Sequence, residues 1–190
     1  RCSRAAHRLY TGGLEFYRGI GDALGETISL HNLANLAYSE KRLAEARAHY
    51  EQSLEIKRNL GDRYSISVSL RGIAEVAKDQ KDYVGAAAYA RESVSLAREL
   101  NAHTRLVDIL HVLIKLTRDL GELETTVRMY SAMERIQEEM DYFLDADAQE
   151  LYNRIQAGLR QSLGTTVYDA ARAQGSLLSL EKALLFLPET

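Results

Sequence analysis

The chain has few of the residues that break helices or cross-link small folds. Its 190 residues include one proline, one cysteine and no tryptophan. A single cysteine cannot form an internal disulfide, so a reducing compartment is favoured and we predict a cytoplasmic protein. The proline, Pro188, lies close to the end of the printed sequence, and the remainder is rich in good helix formers. Because no segment alternates as a strand does, the sequence predicts an all-α fold.

Long apolar runs and a surplus of basic charge are also missing. Lysine and arginine total 24 against 27 for aspartate and glutamate, which gives a formal net charge of −3. This balance predicts no direct binding to nucleic acid or to a membrane surface. The apolar run at residues 183–187 is far shorter than the roughly 18 residues that a membrane span needs, and no secretory leader is recognisable. There is no initiating methionine, and from this we expect a piece of a longer polypeptide.

What the chain does contain is a repeat with a period of 40 residues. Residues 29–37 (SLHNLANLA) return as residues 69–77 (SLRGIAEVA) and, more loosely, as residues 109–117 (ILHVLIKLT). Further columns keep the same spacing: Leu43, Tyr83 and Leu123; Ala46, Ala86 and Thr126; Ile56, Leu96 and Ile136. A fixed period of this length is typical of stacked helical units, which usually present a surface to a partner.

Each unit of the repeat has the pattern of two helices joined by a short polar turn. We predict first helices at about 25–39, 65–79 and 105–119, and second helices at about 43–59, 83–100 and 123–140. Gly61 and Asn101 are placed to end second helices in the left-handed conformation. The small residues that allow close helix packing are Ala34, Ala46, Ala74 and Ala86, and the large residues that fill the gaps are Tyr50 and Tyr130.

These columns make the chain resemble a tetratricopeptide-repeat (TPR) protein of the 40-residue type. The residues that carry the resemblance are Leu30, Leu33-Ala34, Ala37, Ala46, Tyr50 and Ser53 in one repeat, and Leu70, Ile73-Ala74, Ala77, Ala86, Ala90 and Ser93 in the next. A third, degenerate copy has Leu110, Leu113-Ile114, Thr117, Thr126, Tyr130 and Met133. The resemblance implies a right-handed TPR-like superhelix over residues 1–140, with a half repeat at 1–22 and full repeats at about 25–60, 65–100 and 105–140.

The remaining residues, 141–190, are predicted to form a C-terminal helical cap. An amphipathic helix is expected over 141–163, a break at Gly164, a short helix capped by Thr165 or Thr166 that ends near Gly175, and a last helix capped by Ser179. The tail residues Leu163-Gly164, Tyr168, Ala170-Ala171, Gly175 and 180–184 resemble the C-terminal end of bacterial STAND-type ATPase regulators. That resemblance implies the regulatory or sensor end of a transcriptional regulator, with an ATPase domain of the parent chain as an intramolecular partner.

No motif for catalysis is present in the sequence. There is no phosphate-binding loop of the type Gly-x-x-x-x-Gly-Lys-Ser/Thr and no His-Glu-x-x-His pair among the five histidines. The acidic pairs, such as Glu138-Glu139, have the pattern of solvated helix faces rather than of paired catalytic carboxylates. We therefore predict a protein that is not an enzyme and that needs no cofactor and no metal.

The candidate binding residues are the polar positions of the first helices that do not carry the packing signature. In TPR folds such positions line the inner, concave wall, and here they are His31, Asn35, Tyr38, Arg71, Glu75, Lys78, His111, Lys115 and Arg118. We call these nine residues the wall residues. They are net positive in a chain that is net negative, so we predict that they bind an extended or helical peptide of acidic character. The alternative is that they are ordinary solvated side chains.

Two other functions remain open at this point. The chain could be a free-standing TPR scaffold that binds a peptide in its concave groove. It could also be a homo-oligomerisation domain, for instance a homodimer, that uses an exposed apolar end at residues 1–20. For that alternative we expect Leu9, Tyr10, Leu14 and Phe16 to be exposed.

Overall fold

The computed structural model describes residues 2–141 and 146–177, and within these ranges the regular structure is entirely helical. The all-α prediction is confirmed, and each first helix begins two residues earlier than predicted. The helices are α1 (Cys2–Ile20), α2 (Ala23–Ser39), α3 (Leu43–Leu60), α4 (Arg63–Asp79), α5 (Tyr83–Glu99), α6 (His103–Asp119), α7 (Leu123–Glu139), α8 (Ala146–Leu163) and α9 (Thr165–Leu177).

The turns between these helices repeat at half the period of the sequence. A residue with positive φ occurs every 20 residues, at Gly21, Lys41, Gly61, Lys81, Asn101, Gly121 and Asp141. Gly61 (φ 70°) and Asn101 (φ 50°) are thus left-handed, as predicted. The residue that follows three of these turns is an aspartate, and its carboxylate accepts a hydrogen bond from the N–H three residues further on. Because each turn both ends one helix and starts the next, the local chemistry divides each 40-residue repeat into two helices.

The chain divides into two compact units, unit 1 (Arg1–Asn101) and unit 2 (Ala102–Glu189). In unit 1 each helix from α1 to α5 packs against the next one along the chain, as in a helical solenoid. The four alanines predicted to allow close packing are completely buried, and Tyr50 is buried in the same cluster as Ala34 and Ala46. The core therefore forms where the columns of the repeat place small residues opposite large ones.

A buried hydrogen bond recurs in unit 1 with the period of the repeat. The hydroxyl of Ser53 donates to the backbone carbonyl of Thr27 at 3.1 Å, and the hydroxyl of Ser93 donates to the carbonyl of Ser67 at 2.9 Å. Each bond joins the second helix of a repeat to its first helix, and each is worth about 1 kcal/mol when both partners are buried. A serine in this column therefore satisfies a polar atom in an otherwise apolar interface.

In unit 2, α6 packs against α7, and two threonines replace alanines of the earlier repeats. The hydroxyl oxygens of Thr117 and Thr126 lie 3.0 Å apart, and both side chains are fully buried. Thr126 also lies 2.9 Å from the carbonyl oxygen of Glu122. The third repeat thus keeps its helix pair although it departs from the family signature, because the two substitutions satisfy each other's polar atoms.

The tail of unit 2 packs against α7 through α8 and α9. Gly164 separates the two helices with φ 78°, as predicted, but Thr165 is already helical and α9 continues to Leu177. Tyr168, Ala171 and Gly175 form the buried face of α9. A Cβ atom at Gly175 would lie 2.5 Å from the backbone oxygen of Arg128, so α7 and α9 approach each other backbone to backbone. The helix predicted from Ser179, and the start of the helix predicted from residue 141, lie outside the described residues.

The predicted exposure of the N-terminal end is only partly correct. Leu9 and Phe16 are largely exposed. Leu14, however, is buried in a cluster with Leu30 and Leu33, and Tyr10 is partly buried against the same cluster. The prediction was wrong for Leu14 and Tyr10 because α2 covers that face of α1. Among the described helices, none combines the length and apolar character of a membrane span.

Candidate partner-binding surfaces

All nine wall residues lie on first helices, as the repeat predicts, but they fall into the two units. Three of them are on α2 (His31, Asn35 and Tyr38), three on α4 (Arg71, Glu75 and Lys78) and three on α6 (His111, Lys115 and Arg118). The first six belong to unit 1 and the last three to unit 2. We describe the surroundings of each set in turn.

Two wall residues of unit 1 are joined to a single carboxylate. The hydroxyl of Tyr38 donates to Oδ2 of Asp79 at 2.9 Å, and the buried ammonium of Lys78 forms an ion pair with Oδ1 of the same side chain. Lys41 approaches Oδ2 at 3.7 Å. Burial and the bond to Asp79 raise the pKa of Tyr38 above its usual range. These side chains connect α2 with α4, and Asp79 balances part of the positive charge of the wall.

A second set of contacts surrounds Tyr50, which reaches α2 from α3. Its hydroxyl donates to Oδ1 of Asn35 at 2.5 Å, and its ring meets the ring of His31 edge to face with centroids 5.4 Å apart. Burial raises the pKa of Tyr50 to about 12. The carbonyl of the Asn35 amide is thus engaged within the protein, whereas its NH₂ group can donate to a partner.

A buried lysine that the sequence pattern did not predict lies next to the wall residues of unit 1. Lys57, on α3, is only 6% exposed. Its ammonium donates to Oγ of Ser69 at 2.9 Å, and in the described part of the chain this hydroxyl is its one hydrogen-bond partner. Burial lowers the pKa of Lys57 to about 8, against the opposite effect of the nearby Asp62. An ammonium without a direct carboxylate partner in this position is costly for the fold.

Lys57 belongs to a cluster of three basic side chains from three helices. Burial, together with the charges of Lys57 and Arg71, lowers the pKa of His31 to about 4, so this imidazole is neutral near pH 7. Nδ1 of His31 and Nε of Arg71 are buried and have no hydrogen-bond partner among the residues that the structure describes. Arg71 forms an ion pair with Glu75, with Nη1 3.7 Å from Oε2. We call His31, Lys57 and Arg71 the basic cluster; the carboxylates that act on it are Glu75, paired with Arg71, and Asp62, whose charge acts on Lys57.

The repeat itself contains a signal for Lys57. Positions 17, 57, 97 and 137 form one column, occupied by tyrosine, lysine, alanine and glutamine. Ala97 and Gln137 are buried. A lysine in a column of buried second-helix positions is therefore an exception that the repeat makes visible in the sequence. The predicted binding residues did not include it because they all lie on first helices.

In unit 2 the three wall residues lie around a pocket between α6, α7 and α8. The pocket has a volume of about 390 Å³ and is lined by His111, Ile114, Lys115, Arg118, Tyr130, Met133, Leu151, Tyr152 and Ile155. We call it the α8 pocket. Ile114 and Met133 are buried, whereas Leu151 is 56% exposed, so the apolar lining continues out to the solvent. In the part of the chain that the structure describes, the lining contains two permanent cations and no carboxylate.

Contacts with α7 hold the α8 side of this pocket in place. The hydroxyl of Tyr152 donates to Glu134, and the guanidinium of Arg172 contacts the other carboxylate oxygen of Glu134 at 2.9 Å. The rings of Tyr130 and Tyr152 meet edge to face with centroids 5.4 Å apart. The amphipathic pattern of α8 predicted an apolar face at Leu151 and Ile155, but only the tertiary structure brings that face opposite α6.

The donor chemistry of the described residues offers no metal centre. In residues 2–141 and 146–177, no group of three or more histidine, cysteine, aspartate or glutamate side chains is placed to bind a metal ion. The basic cluster and the α8 pocket both suit an anionic or apolar group instead.

The comparison with known families agrees with the repeat. Residues 26–99 match the family described as tetratricopeptide repeat. This matched segment holds α3 and α4 and nearly all of α2 and α5, so the likeness to a tetratricopeptide repeat covers the helices of unit 1 that follow α1. Tetratricopeptide repeats are generally protein-interaction modules and typically non-catalytic scaffolds. No curated protein and no solved structure matches the chain.

Proposed function

We propose that this protein is a non-catalytic module that binds an acidic segment of a partner polypeptide at the first-helix surface of unit 1. The observation that carries the proposal is the basic cluster. Lys57 is buried with only a hydroxyl as partner, and Arg71 and His31 each have a buried nitrogen without one. The ammonium of Lys57 and the guanidinium of Arg71 are satisfied best by a carboxylate from outside, which forms charge-assisted hydrogen bonds with them.

The energetic reason is that the cost of burying the positive charge is already part of the folded state. A partner carboxylate that enters the cluster gains the attraction to Lys57 and Arg71 without a further desolvation of the ammonium. The NH₂ group of Asn35, next to His31 on α2, can bind a backbone carbonyl of the same segment.

The test uses a random dodecapeptide library displayed on phage and selected against the full chain. We expect the selected peptides to be more acidic than the unselected library, and to bind the Lys57→Met variant at least tenfold more weakly. Arg58→Met is the matched control, because Arg58 lies on the same helix, carries the same charge and pairs on the surface with Glu92. Equal losses in the two variants, or no enrichment of acidic peptides, would refute the proposal.

Lys57→Met also separates binding from folding. Methionine keeps the length and apolar stem of the side chain but removes the buried charge, so the free energy of unfolding is expected to stay unchanged or to rise. A variant that is as stable as the wild type but no longer binds acidic peptides therefore assigns the loss to the missing ammonium.

The wider setting, the regulatory end of a bacterial transcriptional regulator with an ATPase domain as intramolecular partner, is a further proposal that rests on the tail. Of the resembling residues, Tyr168, Ala171 and Gly175 are the buried face of α9, so packing alone accounts for them. Residues 180–184 lie outside the described part of the chain. The gene upstream of Arg1 provides the test: a phosphate-binding loop or a helix-turn-helix there supports this setting, and the lack of both refutes it.

Self-association is a second candidate function, and one observation favours it. The described residues include exposed large apolar side chains at Leu9, Phe16 and Ile20 on α1 and at Leu24 and Ile28 on α2. A cluster of apolar side chains near one end of unit 1 is the type of surface through which two copies of a chain associate.

A further inference from the structure

We propose that the α8 pocket of unit 2 is a second peptide site, which takes one large apolar side chain that has an acidic residue directly beside it. This inference deepens the proposed function, since it assumes that the chain binds polypeptides. It assigns to unit 2 a specificity of its own, carried by α8 as well as by the wall residues.

The apolar part of the ligand follows from the lining. Ile114, Met133, Leu151 and Ile155 contribute aliphatic or thioether surface from three helices, and the rings of Tyr130 and Tyr152 complete it. A volume of about 390 Å³ is at the small end of the range for ligand pockets, which suits one bulky side chain better than a folded element. Because Leu151 is 56% exposed, the pocket opens to the solvent and the flanking peptide can leave it without a clash.

The acidic part of the ligand follows from the charges at the pocket. Among the described residues, Lys115 and Arg118 both line it, and no aspartate or glutamate does. His111 lies in the same helix face, four residues before Lys115. A carboxylate next to the apolar side chain thus meets a net positive surface, whereas a lysine in its place would be repelled.

The site is also formed before a ligand arrives. Tyr152 is held by its hydrogen bond to Glu134 and by ring contact with Tyr130, and Arg172 of α9 contacts the same glutamate. A pocket wall that is fixed in this way loses little conformational entropy on binding. This places α8 in the role of a binding element in addition to that of a cap.

The experiment is a library selection on the full chain that carries Lys57→Met, so that ligands of the basic cluster do not dominate. We expect the selected peptides to share a large apolar residue next to aspartate or glutamate. Leu151→Glu, added to the same chain, is expected to weaken their binding at least tenfold, because it places a carboxylate in the apolar lining. Leu177→Glu is the control, since Leu177 is an exposed leucine of the same unit that does not line the pocket.

The outcomes separate this inference from the proposed function. Peptides without the apolar and acidic pair, or binding that Leu151→Glu and Leu177→Glu affect equally, would overturn the α8 pocket as a peptide site. The proposed function is tested independently, by whether the acidic peptides selected on the wild type bind the Lys57→Met variant more weakly. A library that yields no ligand for either chain would overturn both.

Discussion

The close approach of α7 and α9 allows a sharp prediction for Gly175→Ala. The added Cβ would lie 2.5 Å from the backbone oxygen and 2.7 Å from the Cα atom of Arg128, and 2.7 Å from Cβ of Ser131. Two of these three atoms belong to the backbone of α7, so they cannot rotate aside as a side chain does. We expect α9 to move away from α7, which loosens the packing of Tyr168 and Ala171.

The magnitude follows from two opposing effects. Alanine favours the helical state over glycine by up to about 1 kcal/mol. Overpacking of a tight interface costs roughly 1–3 kcal/mol, and a contact with rigid backbone belongs at the upper end of this range. We therefore expect the free energy of unfolding of unit 2 to fall by about 2 kcal/mol.

The matched control is Gly158→Ala on α8. Gly158 is also helical and in the same unit, but a Cβ atom there has nothing within 4 Å. The helix preference acts alone at this position, so we expect a gain of about 0.5–1 kcal/mol. Urea unfolding followed by circular dichroism measures both variants, and hydrogen exchange in α9 locates the effect. If Gly175→Ala stabilised the protein as Gly158→Ala does, the backbone contact between α7 and α9 would be refuted.

Two further predictions concern protonation and association. Because burial and two nearby cations lower the pKa of His31 from 6.5 to about 4, the unfolded chain binds a proton in this pH range that the folded chain does not. The free energy of unfolding should therefore decrease as the pH falls from 6.5 to 4, by on the order of 1–2 kcal/mol after solvent screening, and His31→Gln should lack this part of the pH dependence in urea unfolding. For association, we expect the Phe16→Ser variant to have a lower mass than the wild type in light scattering at high concentration. The control variant Leu60→Ser, which replaces an exposed leucine of α3 by the same polar residue, should have the same mass as the wild type. A wild type that is monomeric throughout would contradict the second candidate function.

Much of the fold could be predicted from the sequence because it depends on local chemistry. A left-handed residue every 20 positions, followed in three turns by a capping aspartate, sets where helices end and begin. The period of small and large residues then sets which faces pack, as the complete burial of Ala34 and Ala74 shows. The packing of the third repeat could not be predicted in the same way. Thr117 and Thr126 depart from the alanines of the family signature, but in the structure their hydroxyl groups form a hydrogen bond with each other.

The candidate sites were harder to predict because they depend on which side chains meet across helices. The period placed the nine wall residues on first helices, but it could not show that Tyr38 and Lys78 share Asp79 or that Tyr50 bonds to Asn35. The period also did not reveal Lys57 as a candidate, because the burial of this side chain depends on the neighbouring helices rather than on α3 itself.

The sequence by itself therefore determined the helices, the turns between them and the side of each helix that packs, since hydrogen bonds and helix caps act within a few residues. The tertiary structure alone decided which polar groups lack a partner and where a pocket opens. Lys57 meets Ser69 of the next helix rather than a carboxylate, and Leu151 of α8 lines the same pocket as Lys115 of α6, because the packing of whole helices sets both arrangements. The two proposed binding sites depend on these contacts between side chains of different helices.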